Sequence, residues 1–315
     1  MSRTPLSAAA LAAALLCPGL LGAQNVQEPV SVDGGGSQVT EGRIDWTENT
    51  LTAYGEGLAP DDIASPVQRR LMGLRAARTV AYRNLLELVG QVRIDAETRV
   101  DRAMVTSDSV RLRVSGIVRG ARVVPGSQEE VGGLYRVALE LRMLEGLADA
   151  VLPASFPQRP AAPLASSPPA EGTSPFVPPA PYTGLVVDAR GLDLQPSISP
   201  RVLAESGKEV YSAAFVDRGF AVRTGVVGYH RDWDRAMLSD RLGDPRRRRP
   251  LVVRALDVSG AYRADVVLGT EDAVRVAMAD AQSGFLGQCR VVFVLGPASP
   301  ASPDSAALAP APTGM

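Results

Sequence analysis

The chain has 315 residues, 45% of them hydrophobic and 21% charged, and 33 basic residues nearly balance 34 acidic ones to leave a formal net charge of −1. So small a charge argues against a general binder of nucleic acid or anionic membranes. The only cysteines are Cys17 and Cys289; once a leader containing the first is removed no intramolecular disulfide can form, and ordinary hydrophobic cores must hold the fold.

The first element in chain order is a leader. Arg3 precedes an apolar stretch from Ala8 to about Leu21, and small residues follow at Gly22 and Ala23. That pattern reads as a secretory signal over residues 1–23, cleaved after Ala23, and is too short and wrongly flanked for a membrane-spanning helix. The competing reading is a lipid on Cys17, against which speak Leu16, where small residues are favoured, and Pro18 directly after. Residues 24–39, rich in glycine, are expected to lack order.

A first domain is expected over residues 40–152. Strand-like runs surround Ile44–Trp46 and Thr50–Tyr54, with Glu48 and Asn49 at a turn. Ser65 then caps a helix, Pro66 suits its first position and Gln68 completes a capping box. Val67, Leu71, Leu74, Ala77, Ala81, Leu85 and Leu88 follow at spacings of three and four up to Gly90, the stop. "QVRID" alternates like a short strand; Ser107 caps a second helix with Val110, Val114 and Ile117 on one face. A hairpin in which Val137, Leu139, Leu141 and Met143 alternate with Glu140 and Arg142 ends the domain. The expected fold class is α+β: a small antiparallel sheet with two helices on one face.

Residues 153–181 are rich in Pro, Ala and Ser and read as a semi-extended linker whose domains reach separate partners. A second, mixed α+β domain is expected over 182–296: a buried strand "GLVVD", a hairpin turning near Ser206 and Gly207, strands "PLVVRALDV", "ADVVLG" and "CRVVFVL", and a helix over about 271–282 capped by Thr270. Residues 297–315 read as a disordered tail. The two domains share a pattern. Asp108–Val124 and Asp272–Val292 both carry Asp-x-Val-Arg-aliphatic, then Ser-Gly, then Arg-Val-Val, which raises the expectation of a duplicated helix-to-strand unit.

Chemistry is sparse. His230, the one histidine, lies near Asp232 and Asp234 as a candidate base or metal ligand, yet no nucleophile accompanies it. Cys289 precedes an apolar strand and reads as a buried small hydrophobe. Asp188 ends a strand without a glycine-rich phosphate loop. No catalytic residue, metal site or cofactor is assigned. The candidate binding residues are Arg246, Arg247, Arg248 and Arg249, a guanidinium cluster suited to carboxylates or phosphates, with Tyr82 and Asn84, which can hydrogen-bond a sheet or a neighbouring subunit.

"AARTVAYRNLLELVGQVRIDAETRV" followed by "SDSVRLRVSGIVRGARVV" resembles the bacterial twenty-kilodalton surface-lipoprotein family, including flagellar accessory proteins of the FlgP type and the N-terminal domain of the FlgT type, over about residues 40–145. The resemblance implies a non-enzymatic envelope protein of the periplasm or outer membrane that assembles with itself or with envelope or flagellar proteins, with membrane association at most peripheral. The alternative is a periplasmic module binding an anionic small molecule or glycan.

Overall fold

The computed structural model describes residues 27–34, 38–153 and 181–296. The expected leader, linker and tail lie outside those residues. Both expected domains are α+β, and each has its own sheet.

The N-terminal sheet has six strands: β1 (Gln27–Gly34), β2 (Gln38–Asp45), β3 (Thr50–Leu58), β4 (Arg122–Val123), β5 (Glu129–Val131) and β6 (Leu134–Arg142). They run in the order β1-β2-β3-β6, all antiparallel, with β4 and β5 both on the far side of β6. Strand β1 occupies part of the stretch expected to be unordered. Its signal is the alternation Val30-Ser31-Val32, outweighed in the sequence by the glycines that follow. The β2–β3 turn is closed by Asp45, whose Oδ1 accepts from Thr47 N (3.0 Å) and Glu48 N (2.9 Å).

Helix α1 (Pro66–Gln91) lies across β3 and β6, begun by Ser65 Oγ accepting from Gln68 N at 3.4 Å. Its buried stripe is Gly73, Ala77, Ala81, Leu85 and Leu88. The small residues set the approach: a Cβ at Gly55 would stand 2.2 Å from Ala81 N, so only glycine lets β3 meet the helix backbone. Core contact starts later than the apolar spacing implies. Val67 and Leu71 are 70% and 64% exposed, because the first two turns project beyond the sheet. Helices α2 (Val100–Thr106) and α3 (Asp108–Arg119) follow, and α3 buries Val114 and Val118 in the same core as α1; the short α4 (Ala148–Val151) comes after β6.

"QVRID" is no strand. It opens a tight loop in which Val100 N donates to Val92 O, Ile94 N to Thr98 O, and Asp95 Oδ1 accepts from Glu97 N and Thr98 N. Alternation over five residues also fits a loop that buries Val92 and Ile94 inward.

The C-terminal sheet contains β7 (Gly184–Asp188), β8 (Val202–Ala204), β9 (Glu209–Tyr211), β10 (Gly228–His230), β11 (Pro250–Ser259), β12 (Asp265–Leu268) and β13 (Val291–Val294), in the order β10-β13-β7-β11-β12-β8-β9. The four strands β10, β13, β7 and β11 are mutually parallel. Continuous apolar runs such as "VVFV" suit strands buried on both faces. Leu185 and Val187 point into the main core, while Val186 joins Val292, Ala236 and Leu242 in a second layer beneath α6 (Trp233–Met237). Helix α5 (Arg218–Thr224) leads into β10. Helix α7 (Thr270–Ser283) links β12 to β13. Thr270 is its first residue rather than its cap; Glu205 Oε2, at the end of β8, accepts from Thr270 N at 3.0 Å.

The duplicated unit does not survive as a unit of architecture. Helix α3 leads to β4, a two-residue antiparallel edge strand, whereas α7 leads to β13, four fully buried residues in the middle of parallel strands.

The two domains dock on one another. The 92–99 loop is the centre of the seam. Ile198 N donates to Arg93 O (3.0 Å), Ser199 N to Ile94 O (2.7 Å), and Tyr262 N to Ala96 O (2.9 Å). Arg93 Nε donates to Pro196 O at 2.7 Å, and the Arg99 guanidinium sits 5.5 Å from the Tyr262 ring centre. Gly260, at φ 86°, makes the approach possible: a Cβ there would lie 2.3 Å from that of Ala96. Trp46 and Tyr229 meet edge-to-face at 5.9 Å, and Arg218 holds Asp149 Oδ1 (2.8 Å) from across the boundary. Buried residues of both domains form one continuous cluster.

Candidate functional site

Open parallel sheets offer ligands the crevice at the carboxyl ends of their strands, where neighbouring connections diverge. Here that edge is formed by Asp188 of β7, His230 of β10 and the residues after β13. Asp188 accepts a two-pronged interaction from Arg190, Nε to Oδ1 and Nη2 to Oδ2, both 2.8 Å. Burial works to raise the Asp188 pKa, but the Arg190 hydrogen bonds outweigh it and the carboxyl is held below its ordinary value. The same guanidinium stacks over Trp233 at 4.7 Å. Beside it opens a cleft of about 400 Å³ lined by the 191–196 loop, Arg231, Leu295 and Gly296. Chemically this edge is a polar, arginine-bearing surface with one aromatic wall. Among the described residues it contains no nucleophile next to a base.

His230 lies in a second cleft, of about 440 Å³, at the domain boundary. Thr47, Glu48 and Asn49 line one side and His230, Arg235 and Arg241 the other. Burial, then Arg241 and Arg235, lower the imidazole pKa, so the ring is neutral at physiological pH. Asp232 is committed elsewhere: its Oδ1 accepts from Arg235 N at 2.9 Å and caps α6.

Arg241, Tyr211 and Cys289 form an interior polar cluster that the sequence pattern does not announce. Arg241 Nη1 donates to Gly225 O and Cys289 O, both 2.9 Å, and Nη2 to Thr224 O, so this half-buried guanidinium gathers three main-chain carbonyls. Tyr211 Oη donates to Val226 O at 2.7 Å. Burial pushes the Cys289 thiol up, away from the reactive thiolate. The only advance signal was an arginine in a segment otherwise ending in Leu242, a core residue.

The arginine run lies at the opposite end of the sheet from the carboxyl edge, in the loop leading into β11. It does not act as a set. Arg246 and Arg247 are exposed in a turn closed by Arg247 N donating to Asp244 O. Arg248 is largely buried and reaches Asp240 at 3.3 Å, while Arg249 stacks on Tyr182 at 4.9 Å. Tyr82 and Asn84 also serve the fold: Asn84 Nδ2 donates to Tyr54 O of β3 at 2.7 Å, and Tyr82 Oη reaches Arg119 O at 3.5 Å. Among the described residues, no cluster of three or more His, Cys, Asp or Glu is placed to hold a metal, and no helix is long and apolar enough to cross a membrane.

Comparison with known families corrects the resemblance drawn from residues 40–145. The family model that matches is the second domain of Treponema pallidum Tp0624, over residues 184–297, the C-terminal domain. The assignment to the FlgP and FlgT type is withdrawn, and the flagellar expectation with it. The physical reason is visible in the fold. The small-residue face of the first helix serves its close approach to β3, and the "QVRID" strand of the pattern is a docking loop. Among curated proteins none matches the chain significantly. The likeness that stands is therefore of one domain: residues 184–297 are similar to the second domain of Tp0624.

Proposed function

We propose that this chain is a non-enzymatic protein of the cell envelope, a structural or assembly accessory factor that acts in the periplasm or at the outer membrane. The leader pattern of residues 1–23 supports the location. The observation that carries the reading is the domain seam. Main-chain hydrogen bonds, an aromatic pair and a continuous core join the two domains, which suits a scaffold that must hold its partners at a fixed spacing. The side chains with chemical capacity are drawn into that scaffold: Asp188 by Arg190, Asp232 by α6, Arg241 by carbonyls. In-cell crosslinking of the tagged protein, read by mass spectrometry, should capture envelope proteins or a second copy. A protein that crosslinks to nothing under conditions that capture known envelope complexes contradicts the reading.

A second reading is a module for an anionic small molecule or glycan. The cleft at the carboxyl edge favours it, since Arg231 in its lining offers a positive charge to an anion. Calorimetric titration with inorganic phosphate and with a sugar acid tests it. Saturable heat that disappears in Arg231→Gln supports this reading; no heat with either probe removes it.

A further inference from the structure

We infer that the domain seam holds one internal water molecule, hydrogen-bonded between the indole N–H of Trp46 and the hydroxyl of Ser197. A small space of about 10 Å³ lies at the seam, with Trp46, Met143 and Ala148 on the N-terminal side and Ser197, Val227 and Tyr229 on the other. That volume admits one water and nothing larger. Two polar atoms of its lining residues, Trp46 Nε1 and Ser197 Oγ, have no protein partner, although both residues are only 2% exposed. Burying an N–H and an O–H without partners is unfavourable, and a site that is both polar and large enough for one probe is where an internal water is found.

The neighbouring polar groups are largely engaged elsewhere. The main chain of Ser197 is taken by Tyr229, whose Oη accepts from Ser197 N and donates to Ser197 O, each at 3.0 Å. The Tyr229 carbonyl in turn accepts from Thr47 Oγ1 at 3.0 Å. The Arg93 guanidinium lies over the Trp46 ring at 5.9 Å, and its Nε is used on Pro196 O. A water accepts the indole proton and exchanges a hydrogen bond with the serine hydroxyl, and Asn49 adds an amide to the lining. Trp46 belongs to one domain and Ser197 to the other, so the site exists only in the docked protein. The water is thus a bond of the seam itself.

The chain has two tryptophans, Trp46 and Trp233, which makes the test direct. In the full chain labelled with ¹⁵N-tryptophan, the Trp46 indole proton should show a cross-peak to a long-lived water and exchange slowly. Ser197→Ala should remove that cross-peak and shift the Trp46 indole resonance, leaving Trp233 unmoved. Absence of the cross-peak in the wild type, or its survival unchanged in Ser197→Ala, overturns the inference. If Ser197→Ala does not fold, a high-resolution crystal structure of the wild type decides. Density for a solvent atom within hydrogen-bond reach of both atoms supports the site, and a dry cavity overturns it.

Discussion

The two domains carry one sequence pattern into opposite packing roles. In both copies the arginine of Asp-x-Val-Arg pairs back one helical turn, Arg111 with Asp108 and Arg275 with Asp272. The Ser-Gly of the pattern lies inside α3 as Ser115 and Gly116 but closes α7 as Ser283 and Gly284. There the likeness ends. Arg122 and Val123 form a short strand on the rim of an antiparallel sheet, while Val291–Val294 lies buried between parallel neighbours. The pattern dictates the helix and its charge pair. Where the next strand lies is dictated by the edge left open for it: beside β6 in one domain, between β7 and β10 in the other.

The domains differ equally in what sets their packing, and this can be broken deliberately. The N-terminal domain depends on the absence of side chains between β3 and α1. Gly55→Ala sets a methyl against the helix backbone, and denaturant unfolding should show a loss of more than about 3 kcal/mol; a loss under about 1 would mean that the helix rides higher on the sheet. The seam comes next. Gly260→Ala meets Ala96 and a left-handed backbone at once, so a loss of about 2–3 kcal/mol is expected, with one calorimetric transition splitting into two. A smaller effect belongs to Asn84→Ala, which leaves the Tyr54 carbonyl without its side-chain donor; about 1–2 kcal/mol is expected, without loss of docking.

The smallest effect is a pH slope from His230. Its pKa in the fold lies below the ordinary 6.5 because of burial, then Arg241 and Arg235. As pH falls through that ordinary value, the unfolded chain takes up a proton that the folded one refuses. Stability therefore declines toward acid in this window, and the contribution is complete above it. Urea midpoints measured across the window should fall less steeply for His230→Gln than for the wild type. Equal slopes would place the histidine in freer solvent than its cleft implies.

Much of the fold was legible because its signals are local. Ser65, Pro66 and Gln68 mark the start of α1, "LVV" and "VVFV" announce strands covered on both faces, and Gly207 marks the β8–β9 hairpin. What escaped is long-range. Nothing near Arg93 reveals that its carbonyl waits for Ile198, and the five-residue alternation of "QVRID" serves a loop as well as a strand. Strand β10 is three residues long and was hidden by the polar residues after it. Of the candidate site residues, Asn84 shows its hydrogen bond only once β3 lies beneath it. The arginine run looked uniform in sequence and divides in space, since Tyr182 and Asp240 come from elsewhere in the chain.

The central claim is that the domains are one docked body, and cutting the chain between them tests it most directly. A specific protease site placed within residues 154–180 would be cleaved in the otherwise intact protein, and the products run on a sizing column. The seam predicts that both halves elute together at the size of the uncut chain, and that Gly260→Ala releases them. Separation of the halves on cleavage of the wild-type sequence would contradict the account.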